Sequence, residues 1–294
     1  MILNKIFSYV LNKFEKRMKS KSISYVLFDY FYLKKICKDI NNNFFRLGYE
    51  KINSNFSGFV EKINNHISNL KLTKNTEYLK LYEIDEYVEN QVYDLCNNQL
   101  KKTLEDLSKI YKSNIFLANI KIAQNYNFEE NTQKYSNFYH VDNNRCTLFK
   151  IFISLEDVSS NQGPTNIIPN NKKNEFLKET KYKNRYDYDH TTDNFEIFKN
   201  TNLKGDALIC NTSRCYHKAG VPDKNVSRKM MTLSFVAYPK EYEKFNYLDF
   251  IKNKKLSQIY EKNFINYLSK SKNFYDNYII YKNYVRFMKN KYNY

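Results

Sequence analysis

The sequence predicts a mainly β core flanked by α-helical segments, and changes in the period of its apolar residues carry that expectation. Up to about residue 112 the apolar positions recur at helical spacing, as in Leu81, Ile84, Val88, Val92 and Leu95, whose steps of three and four keep one face apolar. Between Ile115 and Tyr238 the runs become short and β-like: Ile115 to Ala123, Cys146 to Leu155, Asp206 to Cys210 and Met231 to Tyr238. Turn signals cluster in or beside this stretch, at Gly163-Pro164, Pro169-Asn170, Lys204-Gly205, Gly220 to Pro222 and Pro239. From about Asn246 the pattern is helical again, with Tyr and Phe on one side and Lys on the other. The expected organisation is therefore a helical region over 1–112 packed on the core, a β core over 113–240, and a helical extension over 241–294. The core is interrupted by a polar insertion at 170–201, rich in Lys, Asn, Asp and Tyr, which is expected to act as a lid or binding loop.

Composition narrows the function classes. A chain of 294 residues with 42% hydrophobic and 17% aromatic content can bury a substantial core, which excludes a disordered protein. The formal charge of +17 invites a polyanion partner. However, lysine heavily outnumbers arginine, Asn, Ile, Tyr and Phe abound, and Trp is absent, which is the residue bias of an AT-rich genome. A selected phosphate or base reader favours localised arginine forks, so no nucleic-acid partner is expected. Five cysteines, Cys37, Cys96, Cys146, Cys210 and Cys215, show no CxxC spacing and fit a reducing compartment, hence a cytoplasmic location. The amino-terminal run Met1 to Leu11 lacks a basic n-region and is broken by Asn4 and Lys5, which argues against a signal peptide or a spanning helix. It reads as an amphipathic helix packed on the domain, with peripheral membrane contact as its other use. No transmembrane run is visible, and nothing in the sequence sets an oligomeric state.

With only four histidines in the chain, their positions are informative. His140 and Asp142 form an H-x-D pair just before one strand, and His217 closes another. On an extended segment, residues i and i+2 point to one face, so the imidazole and carboxylate can bind one ion, and a distant strand can bring the third ligand. Two imidazoles and one carboxylate leave coordination positions open, which suits non-haem iron(II) that must take a keto-acid and oxygen together. Arg228 follows His217 by eleven residues (228 − 217), with a turn between, so an antiparallel return carries it back beside the metal strand. Met230, Thr232 and Ser234 share its face, and a guanidinium beside hydroxyls suits bidentate recognition of a carboxylate.

Three segments resemble the phytanoyl-CoA dioxygenase family of iron(II)/2-oxoglutarate oxygenases. They are His140-Val-Asp142; the strand, Asn-Gln-Gly-Pro turn and Ile-Ile-Pro of Phe149 to Lys172; and Gly205-Asp-Ala-Leu-Ile-Cys-Asn-Thr212 through His217-Lys-Ala-Gly220 to Arg228. The resemblance implies a double-stranded β-helix, or jelly roll, with Fe(II), 2-oxoglutarate and O2 as cofactor and co-substrates. It also implies hydroxylation of a small-molecule substrate with decarboxylation of 2-oxoglutarate to succinate. Phe152 stands where relatives place a large aromatic residue against the co-substrate. Lys150 and Ser154 lie on its side of the strand, and Asn119 and Lys121 on the polar face of the preceding one, as further candidate contacts to a carboxylate. The halogenating relatives have Gly or Ala where this chain has Asp142, which favours hydroxylation. Asn170-Asn171 and Lys172 depart from the family's Gly-Ser and His after the proline, so the loop there is expected to differ. Of the remaining histidines, His66 reads as a surface residue, and His190, on the insertion, is a candidate substrate contact. The alternative function is a nucleic-acid-directed oxygenase, or a basic nucleic-acid-binding protein on the same scaffold, drawing on the Lys- and Tyr-rich carboxy-terminal helices.

Overall fold

The computed structural model describes residues 42–111, 114–129, 132–142, 148–190 and 195–238. The amino-terminal amphipathic helix, Cys37, Cys146 and the carboxy-terminal helical extension expected from the sequence lie outside the described residues.

The chain begins with α1 (Asn43–Leu47), β1 (Tyr49–Ile52), α2 (Ser57–Ile67), the hairpin β2 (Leu72–Thr76) and β3 (Leu79–Tyr82), α3 (Glu86–Asn97) and α4 (Lys101–Tyr111). The core follows: β4 (Asn114–Tyr126), β5 (Leu148–Ser154), β6 (Thr165–Ile168), α5 (Lys173–Glu179), β7 (Phe198–Asn200), β8 (Ala207–Cys210), β9 (Tyr216–Ala219) and β10 (Ser227–Tyr238). One sheet has seven strands in the order β1-β8-β5-β10-β4-β3-β2, the other three in the order β7-β6-β9, and all pairings are antiparallel. An isolated bridge between His140 and His217 extends the smaller sheet beyond β9. From β4 the chain alternates between sheets: β4 large, the His140 segment small, β5 large, β6 and β7 small, β8 large, β9 small, β10 large. That winding is a double-stranded β-helix.

The region up to residue 112 is not purely helical, as the periodicity had suggested. β1 adds an edge to one side of the large sheet, and β2 and β3 add two strands to the other. These strands are only four or five residues long, and β2, Leu-Thr-Lys-Asn-Thr, is almost wholly exposed, so no apolar alternation marks it. The helical spacing that seemed to begin at Leu81 instead begins after Asp85, whose side chain accepts from the Val88 amide at 3.0 Å and caps α3. From there Val88, Val92 and Leu95 do form the buried face.

Period-two alternation sorts the large sheet into two faces. Phe149, Ile151, Ile153, Ile209, Met231, Leu233 and Phe235 point away from the small sheet and pack with Val60, Ile63, Val92 and Leu107 of the helices. Tyr111 stacks on Phe149 at 5.6 Å and Phe149 on Phe235 at 5.4 Å, which fastens α4 across β5 and β10. Truncating an aromatic residue in such a layer costs about 3–5 kcal/mol. The other face looks toward the small sheet, where Phe152, Leu208 and Cys210 meet Ile167 and Cys215. The functional side chains lie on this inner face.

The turn before β6 tests the packing. Gly163 has φ +63°, and a Cβ there meets backbone of Val221, Pro222 and Gly220 at 2.5–2.7 Å. Gly163→Ala is therefore expected to lower stability by about 1–3 kcal/mol. Gly58, in α2, has nothing within 4 Å of an added Cβ, so Gly58→Ala should raise stability by about 0.5–1 kcal/mol. Urea denaturation of the two variants checks the opposite signs.

Candidate metal centre

Two neighbouring segments of the small sheet carry three potential ligands. The backbones of His140 and His217 exchange hydrogen bonds, His140 N to His217 O at 3.1 Å and His217 N to His140 O at 2.9 Å. The Asp142 amide donates to Thr212 O at 2.8 Å. Alternation then separates two sets of side chains. Tyr139 and Tyr216 point outward into an aromatic cluster with Ile168 and Phe176, while His140 and His217, each 5% exposed, turn inward. One ligand atom from each of His140, Asp142 and His217 falls within 4.8 Å of the other two, and the imidazole centroids are 4.4 Å apart.

Hydrogen bonds fix which ring nitrogens are available. His140 Nδ1 is 2.8 Å from Phe138 O, and His217 Nδ1 is 3.0 Å from Cys215 O. A carbonyl only accepts, so Nδ1 carries the proton in both rings and Nε2 is left with a lone pair directed at the shared space. Burial depresses the pKa of both: it lowers that of His140 and pushes that of His217 down to about 3, so both rings are neutral at neutral pH. Burial acts in the opposite direction on Asp142, but the Lys150 ammonium, in ion-pair contact with it, holds its carboxyl well below the usual range, and His217 adds to this only where its ring is protonated. The Lys150 ammonium is 2.7 Å from Asp142 Oδ2, and Asp142 Oδ1 is 3.9 Å from His140 Nε2. Two neutral imidazoles and an ionised carboxylate converging from one side are a donor set that can hold a divalent transition metal with positions left open.

Cross-strand register places the other candidates. Arg228 pairs with Asn125; Thr232 lies between Lys121 and Phe152; Ser234 lies between Asn119 and Lys150. All are on the inner face of the large sheet. Arg228 is 1% exposed. Its Nη1 donates to Gly163 O and its Nη2 to Asn125 Oδ1 at 3.2 Å, while its Nε has no partner among the described residues. Burial lowers its pKa, with Tyr135 and Glu156 opposing, yet a guanidinium stays charged. Its hydrogen bonds thus go to two neutral acceptors, and a buried cation so placed is stabilised strongly by an incoming carboxylate. Phe152 is buried between the sheets, Thr232 is half-buried, and Asn119 and Lys121 are open to solvent.

The geometry adds a partner for Lys150 and a packing partner for the insertion. Lys150 engages Asp142 directly rather than standing free for a co-substrate, because its side chain reaches from β5 across the inner face. Within the insertion, Phe176, Tyr182, Tyr188 and Phe195 pack with Tyr139 and Tyr216 on the outer face of the small sheet, whereas Phe198 packs against Phe152, Ile167 and Leu208 between the sheets. Its aromatic residues, spaced among polar ones, give it an apolar side that this face buries. His190 is exposed and is not in the ligand group; its ring lies 4.1 Å from that of Tyr188 and 5.0 Å from that of Phe138. The supporting groups Phe138 O, Cys215 O, Thr212 and Asn125 were not singled out from sequence. A backbone carbonyl leaves no signal in residue identity, and Asn125 is found only once strand register is known.

No family model matches the chain, and no curated protein matches it. Its fold is similar to that of HygX from Streptomyces hygroscopicus with nickel and 2-oxoglutarate bound, at 14% identity over 66% of this chain and 84% of that one, TM-score 0.47. It is also similar to EctD from S. alaskensis with 2-oxoglutarate and 5-hydroxyectoine, at 14% identity over 66% and 74%, TM-score 0.49. A further similar structure is the non-heme alpha ketoglutarate dependent epimerase SnoN from nogalamycin biosynthesis, at 12% identity over 76% and 88%, TM-score 0.47.

His140→Ala, Asp142→Ala and His217→Ala should each weaken divalent-metal binding by more than about 100-fold, as calorimetric titration with nickel(II) would show. Lys150→Met removes the cation from the largely buried Asp142 carboxylate. The metal-free variant should lose about 1–3 kcal/mol of stability, and saturating metal should restore most of it, because the ion then compensates the carboxylate. Denaturation with and without nickel(II) measures both changes.

Proposed function

We propose that the chain is an iron(II)- and 2-oxoglutarate-dependent dioxygenase that hydroxylates a small molecule. In the overall reaction, substrate, 2-oxoglutarate and O2 give hydroxylated substrate, succinate and CO2. One observation carries this reading: a two-histidine, one-carboxylate donor set and a buried arginine that, among the described residues, hydrogen-bonds to neutral acceptors face the same space between the sheets. The finer likeness to the phytanoyl-CoA dioxygenase family rests on the H-x-D, G-D and H-x-x-G segments and the arginine of the sequence.

In this reading His140 and His217 bind iron through Nε2 and Asp142 through its carboxylate. Bound there, iron(II) supplies the redox chemistry that divides dioxygen between the two substrates. Arg228 holds the far carboxylate of 2-oxoglutarate, using the guanidinium hydrogen that has no partner among the described residues. Thr232 lies on the same inner face, two residues along β10 beyond Met230, and offers a hydroxyl nearer Lys121 and Phe152. Phe152, Ile167 and Leu208 line the space with apolar surface and exclude water from the reacting atoms. The retained Asp142 leaves no ligand position for a halide and supports hydroxylation. The nucleic-acid alternative drew on helices beyond residue 240, which lie outside the described residues.

Arg228→Leu should weaken 2-oxoglutarate binding by about 100-fold or more while leaving nickel(II) affinity within about threefold, since a buried, charge-assisted hydrogen bond and its ion pair are lost and the ligands remain. Titrating the nickel-loaded protein with 2-oxoglutarate gives this result directly. For activity, iron-loaded protein is incubated anaerobically with 2-oxoglutarate and fractionated metabolites, and succinate is followed after oxygen is admitted. Succinate release coupled to one small-molecule fraction is expected. Stimulation by polynucleotides alone would transfer the reading to the nucleic-acid alternative, and no 2-oxoglutarate consumption under any condition would refute it.

A further inference from the structure

The inner face of the large sheet carries more positive charge than one metal ligand and one co-substrate account for. Lys121 sits on β4 opposite Thr232, between the row of Arg228 and that of Lys150. The same face continues onto the hairpin: Ala123 is opposite Leu81, and Leu81 is opposite Lys74, so Lys74 and Lys121 look to the same side. The Lys74 ammonium lies 5.8 Å from the Tyr78 ring centre and that of Lys134 5.7 Å from the same ring. Tyr78 in turn neighbours Phe128 and Tyr135, and the Tyr135 hydroxyl donates to Gly220 O at 3.2 Å, beside the Gly163 turn that receives Arg228. Lys74 therefore stands on an aromatic shelf contiguous with the site.

These cations repel one another. Partial desolvation beside the concave face, together with the charges of Lys150, Arg228 and Lys74, lowers the Lys121 pKa, and only Asp142 acts in the other direction. Asp142 is already engaged by Lys150 at 2.7 Å. Arg185, from the insertion, adds to the positive field at His140. Among the described residues neither Lys121 nor Lys74 has a carboxylate in ion-pair contact. Like charges gathered on a concave wall without acidic partners cost stability, and that cost is offset when an anion binds. In the dioxygenase reading 2-oxoglutarate satisfies Arg228 and the metal, which leaves Lys121 and Lys74 to a second anion.

We propose that Lys121 and Lys74 form an anion subsite for the primary substrate, receiving its carboxylate or phosphate group and restricting the enzyme to anionic small molecules. The subsite rests on the dioxygenase reading. The carbon to be oxidised then lies toward His140, Asp142 and His217, and the anionic group lies toward β2 and β3. Both lysines are solvent-open, which lets the charged end of a substrate enter without crossing the apolar wall around Phe152.

The test uses the full chain loaded with nickel(II) and saturated with 2-oxoglutarate, titrated calorimetrically with inorganic phosphate and, separately, with acetate. Binding of either is expected, and the tighter of the two assigns phosphate or carboxylate. Lys121→Met and Lys74→Ala should each weaken it by about tenfold. Lys51→Ala, on exposed β1 at the far edge of the same sheet, should leave it unchanged. Absence of binding for both anions, or equal weakening by Lys51→Ala, overturns the subsite, the latter because a diffuse field would then explain the binding. Loss of 2-oxoglutarate binding in Lys121→Met also overturns it, since that lysine would belong to the co-substrate. A wild-type chain that takes up neither nickel nor 2-oxoglutarate removes the dioxygenase reading, and the subsite with it, before any anion is added.

Discussion

The reciprocal backbone hydrogen bonds between His140 and His217 are the constraint on which the rest of the site depends. They join segments 77 positions apart (217 − 140) and set the register that turns both imidazoles to the same side. A slip by one residue would exchange each histidine with its tyrosine neighbour, Tyr139 or Tyr216, and send the imidazoles into the aromatic cluster outside. The outer cluster guards against that slip. Tyr139 and Tyr216 pack edge-on or tilted against Phe176 at 5.3 and 5.1 Å, and Tyr182 meets Tyr216 at 4.7 Å. The insertion thus supports the register from behind, by packing against the tyrosines whose neighbours are the histidines.

Charge is arranged with the same economy of contacts. Deep burial keeps the imidazoles neutral, and carbonyls two residues upstream of each histidine, at Phe138 and Cys215, fix the tautomer. Asp142 stays ionised because Lys150 is beside it, so the metal-free site already holds its carboxylate in charged form. Arg228 is the opposite case, a cation buried against neutral oxygens. The first arrangement prepares for a cation and the second for an anion, and both project from the two sheets into one space. That pairing of requirements is what distinguishes the interior from an ordinary jelly-roll core, which fills the same volume with apolar side chains.

Much of this was legible in the sequence, and the reasons differ by residue. His140 and Asp142 could be paired because an extended strand puts i and i+2 on one side. Arg228 was placed by an antiparallel return beside the His217 strand, but the turn after Gly220 carries the chain into the other sheet: β9 pairs with β6 and β10 with β4 and β5, so Arg228 faces the ligands across the interior. The strand and turn content between Ile115 and Tyr238 could be read because buried strands need apolar runs and their reversals need Gly and Pro. Three features were hidden. The edge strands β1 and β2 are short and largely exposed, β3 beside β2 is only four residues long, and the helical register of Val88, Val92 and Leu95 spread onto Leu81, which in fact belongs to β3. The packing of the insertion was hidden because Phe176, Tyr182 and Tyr188 are scattered among polar residues, and only the fold shows that they share a side. The Lys150–Asp142 pair was hidden because it joins different sheets, and local spacing carries no information about contacts of that kind.

The central claim is that His140, Asp142 and His217 together hold one metal ion, with Arg228 facing the same space. Anomalous diffraction at the iron edge, from crystals grown anaerobically with iron(II) and 2-oxoglutarate, tests it most directly. The account requires one iron peak about 2.0–2.2 Å from both histidine Nε2 atoms and an Asp142 oxygen, with a carboxylate of 2-oxoglutarate on the Arg228 guanidinium. Iron bound elsewhere, or none at this place in crystals that hold 2-oxoglutarate, would contradict it.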